Sequence, residues 1–276
     1  MATNDTAFAG SIPALYDRHL APALFEPYAA DMVRRLSHLT EGAILETAAG
    51  TGIVTQHLAA ALPAAVRIVA TDLNQPMLDN AANKAGMARV TFRQANALKL
   101  PFADGEFDAV VCQFGAMFFP DRVAGYREAL RVLKRDGQFI FSVWGPLPQS
   151  PIADVVTDAM AARYPQDPPR FLARVPHAYH DAHVIRAEFA AAGFSAVAIE
   201  TVALTSRAAS PRDPAIGFCQ GTPLRGEIEA RDPGGLQAAT DAAADALAAR
   251  FGAGAIEAPM QALVITASAP LRLSPL

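Results

Sequence analysis

One stretch decides the fold of this chain, and it reads Ile44-Leu45-Glu46-Thr47-Ala48-Ala49-Gly50-Thr51-Gly52-Ile53-Val54. The apolar residues before Glu46 are typical of a buried strand. The small residues that follow allow a tight turn that a ligand can approach closely. The run from Ile53 indicates a helix, whose first N–H groups suit an anion such as a carboxylate. The stretch therefore predicts strand, turn and helix around a bound ligand.

The flanking sequence repeats this alternation of strands and helices. Apolar runs predict strands over residues 43–48, 66–72, 90–93, 107–112 and 138–144. Periodic segments between them predict helices over residues 53–61, 74–84 and 122–133, the last of them ended by Gly137. Short strand–helix units in series indicate a mostly parallel, doubly wound sheet with helices on both faces.

The two ends of the chain extend this central pattern. Residues 25–36 have a helical apolar face and predict a helical preface. Beyond residue 145 we expect a helix from Ser150 and Pro151, a helix over 181–192 capped by Asp181, and a strand over 197–204. A loop-rich insertion over 206–234, a helix from Asp232 to residue 251 and a last strand over 258–267 complete the prediction. The expected parts are residues 1–40 (helical segment), 41–145 (cofactor-binding half) and 146–276 (remaining strands with substrate-cap insertions).

Composition excludes several classes of protein. The 276 residues are 52% hydrophobic and carry a net charge of −4, which excludes a disordered chain and gives no basic surface for nucleic acid. No apolar stretch approaches the roughly 20 residues of a membrane span. Cys112 and Cys219 have no metal-binding spacing, and residues 1–13 lack a secretory signal pattern. We expect a cytoplasmic protein without a metal site.

Two acids stand where a nucleoside-containing ligand is usually held. Glu46 ends the first predicted strand, and Asp72 ends the second, where a carboxylate can accept hydrogen bonds from both ribose hydroxyls. A dinucleotide would need a third small residue after the turn, at Ile53 or Thr55, and neither is Gly or Ala. Glu46 is also unfavourable beside a pyrophosphate, whereas it can attract the ammonium of S-adenosylmethionine.

Several motifs resemble those of class I S-adenosylmethionine-dependent methyltransferases. The segment from Glu46 to Gly52 looks like their first motif, with Ala48 in place of the usual first glycine. Asn96-Ala97 resembles the Asp-Ala pair that touches adenine. The branch of small-molecule enzymes that includes the ubiquinone and menaquinone methyltransferases shows similar segments at Tyr16-Asp17-Arg18, Leu100-Pro101-Phe102, Phe107-Asp108, Gln113-Phe114-Gly115 and 131–137. The resemblance covers about residues 12–145.

The resemblance implies a seven-stranded sheet of the Rossmann-like class with an antiparallel last strand. It also implies that S-adenosylmethionine is bound and S-adenosylhomocysteine released. The expected cofactor-binding residues are Tyr16, Glu46, Ala48, Gly50, Gly52, Asp72, Leu73, Met77, Asn96, Ala97 and Gln113.

Catalysis by methyl transfer needs few reacting side chains, because the methyl group is already activated and the protein mainly aligns the reactants. We expect Tyr16 and Gln113 to shape the methyl end of the site. The run of His177, His180 and His183 does not suit a metal site. Surface histidines are the expectation there, with His180 as the candidate general base if the acceptor must lose a proton.

The acceptor is expected to be a small molecule under a roof built from residues of about 146–225, with Phe171, Tyr179 and Phe218 as apolar lining. Two alternatives remain: an NAD(P)-dependent oxidoreductase on a similar sheet, and a non-catalytic protein that binds S-adenosylmethionine. The sequence leaves the acceptor atom open, and it leaves a homodimer open.

Overall fold

A computed structural model describes Asp5 and residues 10–269, so most of the segment 1–13, on which the expectation about a signal peptide rests, lies outside the described residues. One seven-stranded sheet has the order β3-β2-β1-β4-β5-β7-β6. Its strands are β1 (Gly42–Glu46), β2 (Val66–Asp72), β3 (Val90–Gln94), β4 (Phe107–Gln113), β5 (Leu133–Trp144), β6 (Ala196–Ala208) and β7 (Ile256–Ser268). The Rossmann-like class predicted from the sequence is confirmed.

Helices precede, connect and follow these strands. A π-helical turn over Ala21–Phe25 joins the first two helices of the N-terminal segment. The α-helices are α1 (Ile12–His19), α2 (Glu26–Arg35), α3 (Ile53–Ala61), α4 (Gln75–Ala82), α5 (Arg122–Val132), α6 (Pro151–Arg163), α7 (Phe171–Arg174), α8 (Ala182–Ala192), α9 (Arg212–Gln220), α10 (Leu224–Arg231) and α11 (Leu236–Phe251).

Strand β1 lies at the point where the chain changes direction across the sheet. It pairs in parallel with β2 on one side and with β4 on the other. Strands β3 and β5 continue the parallel arrangement outward. In open sheets of this kind, ligands bind outside the carboxyl ends of the strands at such a switch point. Glu46, Asp72 and Gln113 end β1, β2 and β4, so topology alone brings them to one edge.

The last strand runs against its neighbours. The Gly145 N–H donates to the Gln261 carbonyl at 2.8 Å, and the Ala269 N–H donates to the Gly137 carbonyl at 2.9 Å. Residue numbers therefore rise along β5 while they fall along β7, which is the antiparallel pairing expected from the sequence.

The prediction that Gly137 ends the helix over residues 122–133 was wrong. Helix α5 ends at Val132, and Gly137 lies inside β5. Strand β5 contains an irregularity there, because Leu133 pairs with Phe107 while Gln138 pairs with Ala109. Asp136 takes a φ of 62° within this irregular part of β5.

The loop-rich insertion expected over residues 206–234 was also wrong. Helices α9 and α10 occupy much of it. Pro211 and Pro223 stand at the N-cap positions of these two helices, where a missing N–H costs nothing. The following helix, α11, begins at Leu236 behind Gly235, three residues later than a cap at Asp232 would give.

The chain divides into two compact units. The first contains Met1–Tyr28, Trp144–Tyr179 and Ala203–Ala262, and the second contains Ala29–Val143, His180–Val202 and Leu263–Leu276. The three-part division expected from the sequence stays a prediction. Within the described residues, no helix is both long enough and apolar enough to cross a membrane.

Aromatic rings fill the core of the second unit between α5, β5 and α8. Tyr126 lies 4.5 Å from Phe189 between ring centroids, and Phe189 stacks on Phe141 at 5.4 Å with nearly parallel planes. All three side chains are fully buried. Fully burying one such ring stabilises a fold by roughly 1.5–3 kcal/mol, so this cluster fixes α5 and α8 against β5.

Candidate cofactor site

The loop after β1 carries three residues in the left-handed region of φ. Ala48, Gly50 and Gly52 have φ values of 52°, 56° and 78°. Gly52 is the N-cap of α3, and a side chain there would meet the Cβ atom of Ala81 at 2.8 Å. The loop therefore depends on glycine at position 52 both for its backbone angle and for the packing of α3 against α4.

Gly50 differs from Gly52 because the space beside it is open. A Cβ atom built on Gly50 would meet only the Met77 methyl group, at 3.9 Å. The Thr51 hydroxyl is buried and has no hydrogen-bond partner among the described residues. An open glycine and an unused polar atom in one loop are features that fit a ligand approaching the backbone.

Asp72 holds the loop to the end of β2. One carboxylate oxygen accepts from the Gly50 N–H and the other from the Asn74 N–H, both at 2.8 Å. Burial raises the pKa of this carboxyl, while the hydrogen bonds from Asn74 and Gly50 act in the opposite direction. Each carboxylate oxygen offers two acceptor positions, so these bonds leave capacity for further donors such as ribose hydroxyls.

Glu46 points its carboxyl group into the protein interior. The residue is 2% exposed, and its Oε2 accepts a hydrogen bond from the Thr55 hydroxyl at 2.5 Å. Burial, the largest effect, and the nearby Asp72 raise the pKa of Glu46 to about 8, against the lowering effect of the Thr55 bond. The group is therefore mostly protonated at neutral pH until a positive charge is brought near it.

Thr55 explains why the third small residue of a dinucleotide motif is absent. Its side chain is fully buried in the first turn of α3 and is bonded to Glu46. The Thr71 hydroxyl donates to the Glu46 carbonyl at 2.9 Å. Thr55, Glu46 and Thr71 thus form a buried hydrogen-bonded network beside the loop. This network occupies the position where a dinucleotide-binding turn needs close helix–strand packing.

The remaining predicted cofactor residues follow β2, β3 and β4. Leu73 is 52% exposed, which is unusual for a large apolar side chain in this structure. The Asn96 side-chain oxygen accepts from the Leu98 N–H at 2.9 Å and so caps a turn next to Ala97. The Ala95 N–H donates to the Asp72 carbonyl at 2.9 Å, which ties that turn to the end of β2. Gln113 is half-buried at the end of β4.

The structure brings part of the predicted set into direct contact. Gly50 donates to Asp72, the Asp72 charge acts on Glu46, and the Met77 methyl group lies beside Gly50. Tyr16 lies in the first unit, where its ring stacks on Phe25 at 4.8 Å between centroids, and its role at the cofactor stays a prediction. His180 is half-buried just before α8, and its role as a base also stays a prediction.

His177 corrects the expectation of three surface histidines. It is buried in the first unit, and its Nδ1 donates to the Gly145 carbonyl at 2.8 Å, because a carbonyl can only accept. His183 is exposed at the start of α8. Within residues 5 and 10–269, no three His, Cys, Asp or Glu side chains are grouped to hold a metal ion.

Two residues of the site were missed from the sequence. The sequence marks Thr55 only as a residue that does not suit a dinucleotide, and its hydrogen bond to Glu46 has no sequence signal. Phe114 has a φ of 52°, which is an outlier for a bulky side chain. Such strain is concentrated at functional sites, but nothing in the letters Gln113-Phe114-Gly115 reveals it.

Comparisons with known proteins point to the same region. Residues 45–141 match the family described as a methyltransferase domain. The ubiquinone/menaquinone biosynthesis C-methyltransferase UbiE of Geotalea uraniireducens is 36% identical over 112 residues, 39% of this chain and 48% of that protein. The corresponding protein of Citrifermentans bemidjiense is 33% identical over 141 residues, 49% of this chain and 60% of its own length. The chain thus spans about half the length of these curated relatives.

Solved structures show the same fold at lower sequence identity. The YcgJ protein of Bacillus subtilis superimposes with a TM-score of 0.55 at 22% identity, over 88% of this chain and 98% of that one. A phosphoethanolamine N-methyltransferase of Haemonchus contortus, in complex with S-adenosylhomocysteine, gives a TM-score of 0.59 at 16% identity, over 94% and 57% of the two chains. Residues 45–141 are therefore similar to a methyltransferase domain and distantly similar to the quinone-pathway enzymes.

Proposed function

We propose, from the similarity of residues 45–141 to a methyltransferase domain, that this chain binds S-adenosylmethionine and transfers its methyl group to a small-molecule acceptor. One observation supports the proposal most directly: two buried acids, Glu46 and Asp72, flank a left-handed loop of small residues at the switch point of the sheet. A sulfonium-linked amino acid and a ribose together need these features, namely a loop with free N–H groups, an acid behind it and an acid at the next strand end.

Each proposed contact follows from the geometry of the loop. Asp72 would accept from the ribose hydroxyls with the acceptor positions that the Gly50 and Asn74 bonds leave. The first N–H groups of α3 have no partner within the helix and would hold the carboxylate. Leu73 and Met77 would contact the adenosine, with Asn96 and Ala97 at its far edge. Glu46 would balance the ammonium group, directly or through water.

The cofactor, when bound, supplies a methyl group on a positively charged sulfur, and the protein aligns and desolvates the acceptor. We propose Gln113 and Tyr16 as the residues around the methyl end, and His180 as the base for an acceptor that must lose a proton. Phe171, Tyr179 and Phe218 are all buried in the first unit, and their place in an acceptor pocket is part of the proposal.

Substitution of Asp72 tests the ribose contact. We expect Asp72→Asn to weaken S-adenosylhomocysteine binding by roughly ten- to a hundred-fold, because charge-assisted hydrogen bonds are worth about 1.5–3 kcal/mol. The asparagine oxygen can accept from only one of the Gly50 and Asn74 N–H groups, so a second ligand is needed to separate the loss of the ribose contact from a shift of the loop. The matched ligand is the 2′-deoxy analogue, whose affinity should change much less between the two proteins. Equal losses for both ligands would contradict the ribose contact.

Label transfer tests the activity itself. Purified protein incubated with methyl-labelled S-adenosylmethionine and fractionated cell metabolites should label a small molecule. Binding of S-adenosylhomocysteine without any labelled product across the fractions would favour a non-catalytic cofactor-binding protein. Binding of NADH instead of S-adenosylhomocysteine would favour the oxidoreductase alternative.

A further inference from the structure

We propose that Gly115 is a positioning residue for the cofactor site, because its missing side chain provides the space that the Ala48 side chain occupies. This inference rests on the proposed function for its cofactor part. It concerns two residues that follow different strands, β1 and β4, and meet at the edge of the sheet.

Ala48 stands at a position that its backbone angle would assign to glycine. Its φ of 52° lies in the left-handed region, where the Cβ atom of an L-residue is crowded by the neighbouring carbonyl oxygen. Because Ala48 is half-buried, its side chain also needs space among the neighbouring residues. The Ala48 side chain lies next to Gly115.

Gly115 shows the opposite situation. Its φ of −103° and ψ of −36° are angles that any residue adopts, so the backbone does not require glycine here. The contacts do require it. A Cβ atom on Gly115 would lie 2.4 Å from the Cβ of Ala48 and 2.9 Å from the sulfur of Cys112, both closer than real side chains approach. Alanine thus stands at the position with the strained φ, and glycine stands at the position with an ordinary φ.

Neither partner can move away easily, because backbone hydrogen bonds hold both loops. On the β1 side, the Thr47 N–H donates to the Val111 carbonyl and the Ala49 N–H to the Thr71 carbonyl, both at 2.9 Å. On the β4 side, the Phe114 N–H donates to the Ser142 carbonyl and the Phe118 N–H to the Gly115 carbonyl, both at 3.0 Å. The Cys112 sulfur is fully buried behind Gly115.

A methyl group on Gly115 therefore has to displace one of the two loops. If Ala48 moves, the Gly50 N–H shifts away from Asp72, which it contacts at 2.8 Å. If the β4 side moves, Phe114 and Gln113 shift. Both movements displace residues that we assign to the cofactor site. The contact between Ala48 and Gly115 therefore determines the positions of those residues.

A double-mutant cycle tests the inference. Wild type, Ala48→Gly, Gly115→Ala and the double variant are compared by calorimetry with S-adenosylhomocysteine and by denaturant unfolding. We expect Gly115→Ala to weaken binding by about ten-fold or more, and Ala48→Gly completes the cycle as the reference for the double variant. The double variant should recover most of the lost affinity, short of full recovery because the Cys112 sulfur still lies 2.9 Å from the added methyl. Gly254→Ala is the control, since an added Cβ there meets nothing within 4 Å.

The possible outcomes separate this inference from the proposed function. Binding by Gly115→Ala equal to that of Gly254→Ala would overturn the inference, as would a double variant no better than Gly115→Ala. If Gly115→Ala does not fold, the double variant should fold and bind, and its failure would also overturn the inference. If wild type does not bind S-adenosylhomocysteine, the proposed function and the cofactor role fall. The steric contact between Ala48 and Gly115 is then tested by the unfolding measurements alone. Strictly additive effects of the two substitutions on the free energy of unfolding would contradict that contact.

Discussion

The carboxyl group of Glu46 shows how a single residue can link cofactor binding to pH. Burial raises its pKa to about 8, and the group that donates a hydrogen bond to it is an uncharged hydroxyl, that of Thr55. The negative charge of Asp72 lies near enough to raise the pKa of Glu46 further. The arrival of a ligand ammonium favours the carboxylate form and lowers that pKa.

We expect S-adenosylhomocysteine to bind more tightly as the pH rises from 6 to 8, because binding releases a proton from Glu46 in this range. The sign follows from a group whose pKa is lower in the complex than in the free protein. Calorimetry in buffers with different ionisation enthalpies measures the proton release. Glu46→Gln, whose side-chain oxygen can still accept from Thr55, should lose this pH dependence. An unchanged proton release in that variant would assign the titration to another group, such as Asp72.

Stability should respond to the same group. The pKa of Glu46 is higher in the folded protein than its usual value of 4.5, so the folded state retains a proton that the unfolded chain loses. Its contribution is therefore fully present below the unfolded pKa and declines as the pH rises toward 8. Denaturant unfolding between pH 5 and 8 should show a steeper loss for wild type than for Glu46→Gln. Parallel curves for the two proteins would contradict the buried, protonated carboxyl.

At the scale of elements, the side chain of Arg89 caps the C-terminal end of α3. The Arg89 guanidinium donates to the carbonyl oxygens of several residues at the end of that helix and in the turn that leads to β2: Leu58, Ala59, Leu62, Pro63 and Val66. The last carbonyls of a helix have no partner within it, and a positive charge there also suits the helix dipole. Arg89 thus fixes the helix that begins at the cofactor loop.

We expect Arg89→Met to lower the free energy of unfolding by about 2 kcal/mol, because several carbonyl groups lose a charged donor at once. The matched control is Arg93→Met. Arg93 makes one hydrogen bond, to the Pro101 carbonyl, and lies over the Phe102 ring at 5.3 Å, so a loss below about 1 kcal/mol is expected there. Equal losses in urea unfolding would show that the capping contacts of Arg89 add nothing.

The N-terminus of α8 offers a second test of a single cap. The Asp181 carboxylate accepts from the His183 N–H at 2.7 Å and from the Val184 N–H at 3.4 Å. Asp181→Ala should cost about 1 kcal/mol of stability, while Asp181→Asn, another good cap, should stay within a few tenths. A melting curve of each variant measures the difference. Indistinguishable curves for Ala and Asn would contradict the capping role.

Local patterns predicted some elements better than others. The strand Val66–Asp72 and the helix Ile53–Ala61 have the bounds that hydrophobic periodicity gave, because each is a single apolar run between turn residues. The sequence does not predict helices α9 and α10 because Pro and Gly are common in loops, whereas Pro211 and Pro223 start helices here. The residues from Lys134 to Gly137 form an irregular part of β5 whose place depends on pairing with β4.

The candidate site was predictable in its chemistry and hidden in its contacts. The order of Glu46, the small loop and Asp72 along the chain was enough to expect a nucleoside ligand. The bond between Asp72 and Gly50, the burial of Glu46 on Thr55 and the space at Gly115 are contacts between segments distant in sequence. Hydrophobic periodicity carries no information about such contacts, so the structure was needed to find them.

At the scale of the whole molecule, a ligand that binds only the folded state must raise its stability. At a concentration of 100 times Kd, the gain is about 2.7 kcal/mol. We expect S-adenosylhomocysteine to raise the melting temperature in a concentration-dependent way, and NADH at the same concentrations to leave it unchanged. A rise with NADH alone would favour the oxidoreductase alternative.

Direct calorimetry of the purified protein with S-adenosylmethionine and S-adenosylhomocysteine tests the central claim, that the loop between Glu46 and Gly52 together with Asp72 holds an adenosyl sulfonium and its product. The account predicts one saturable site for each compound in wild type, and weaker binding in Asp72→Asn. Absence of heat for both compounds in a protein that unfolds cooperatively would contradict it.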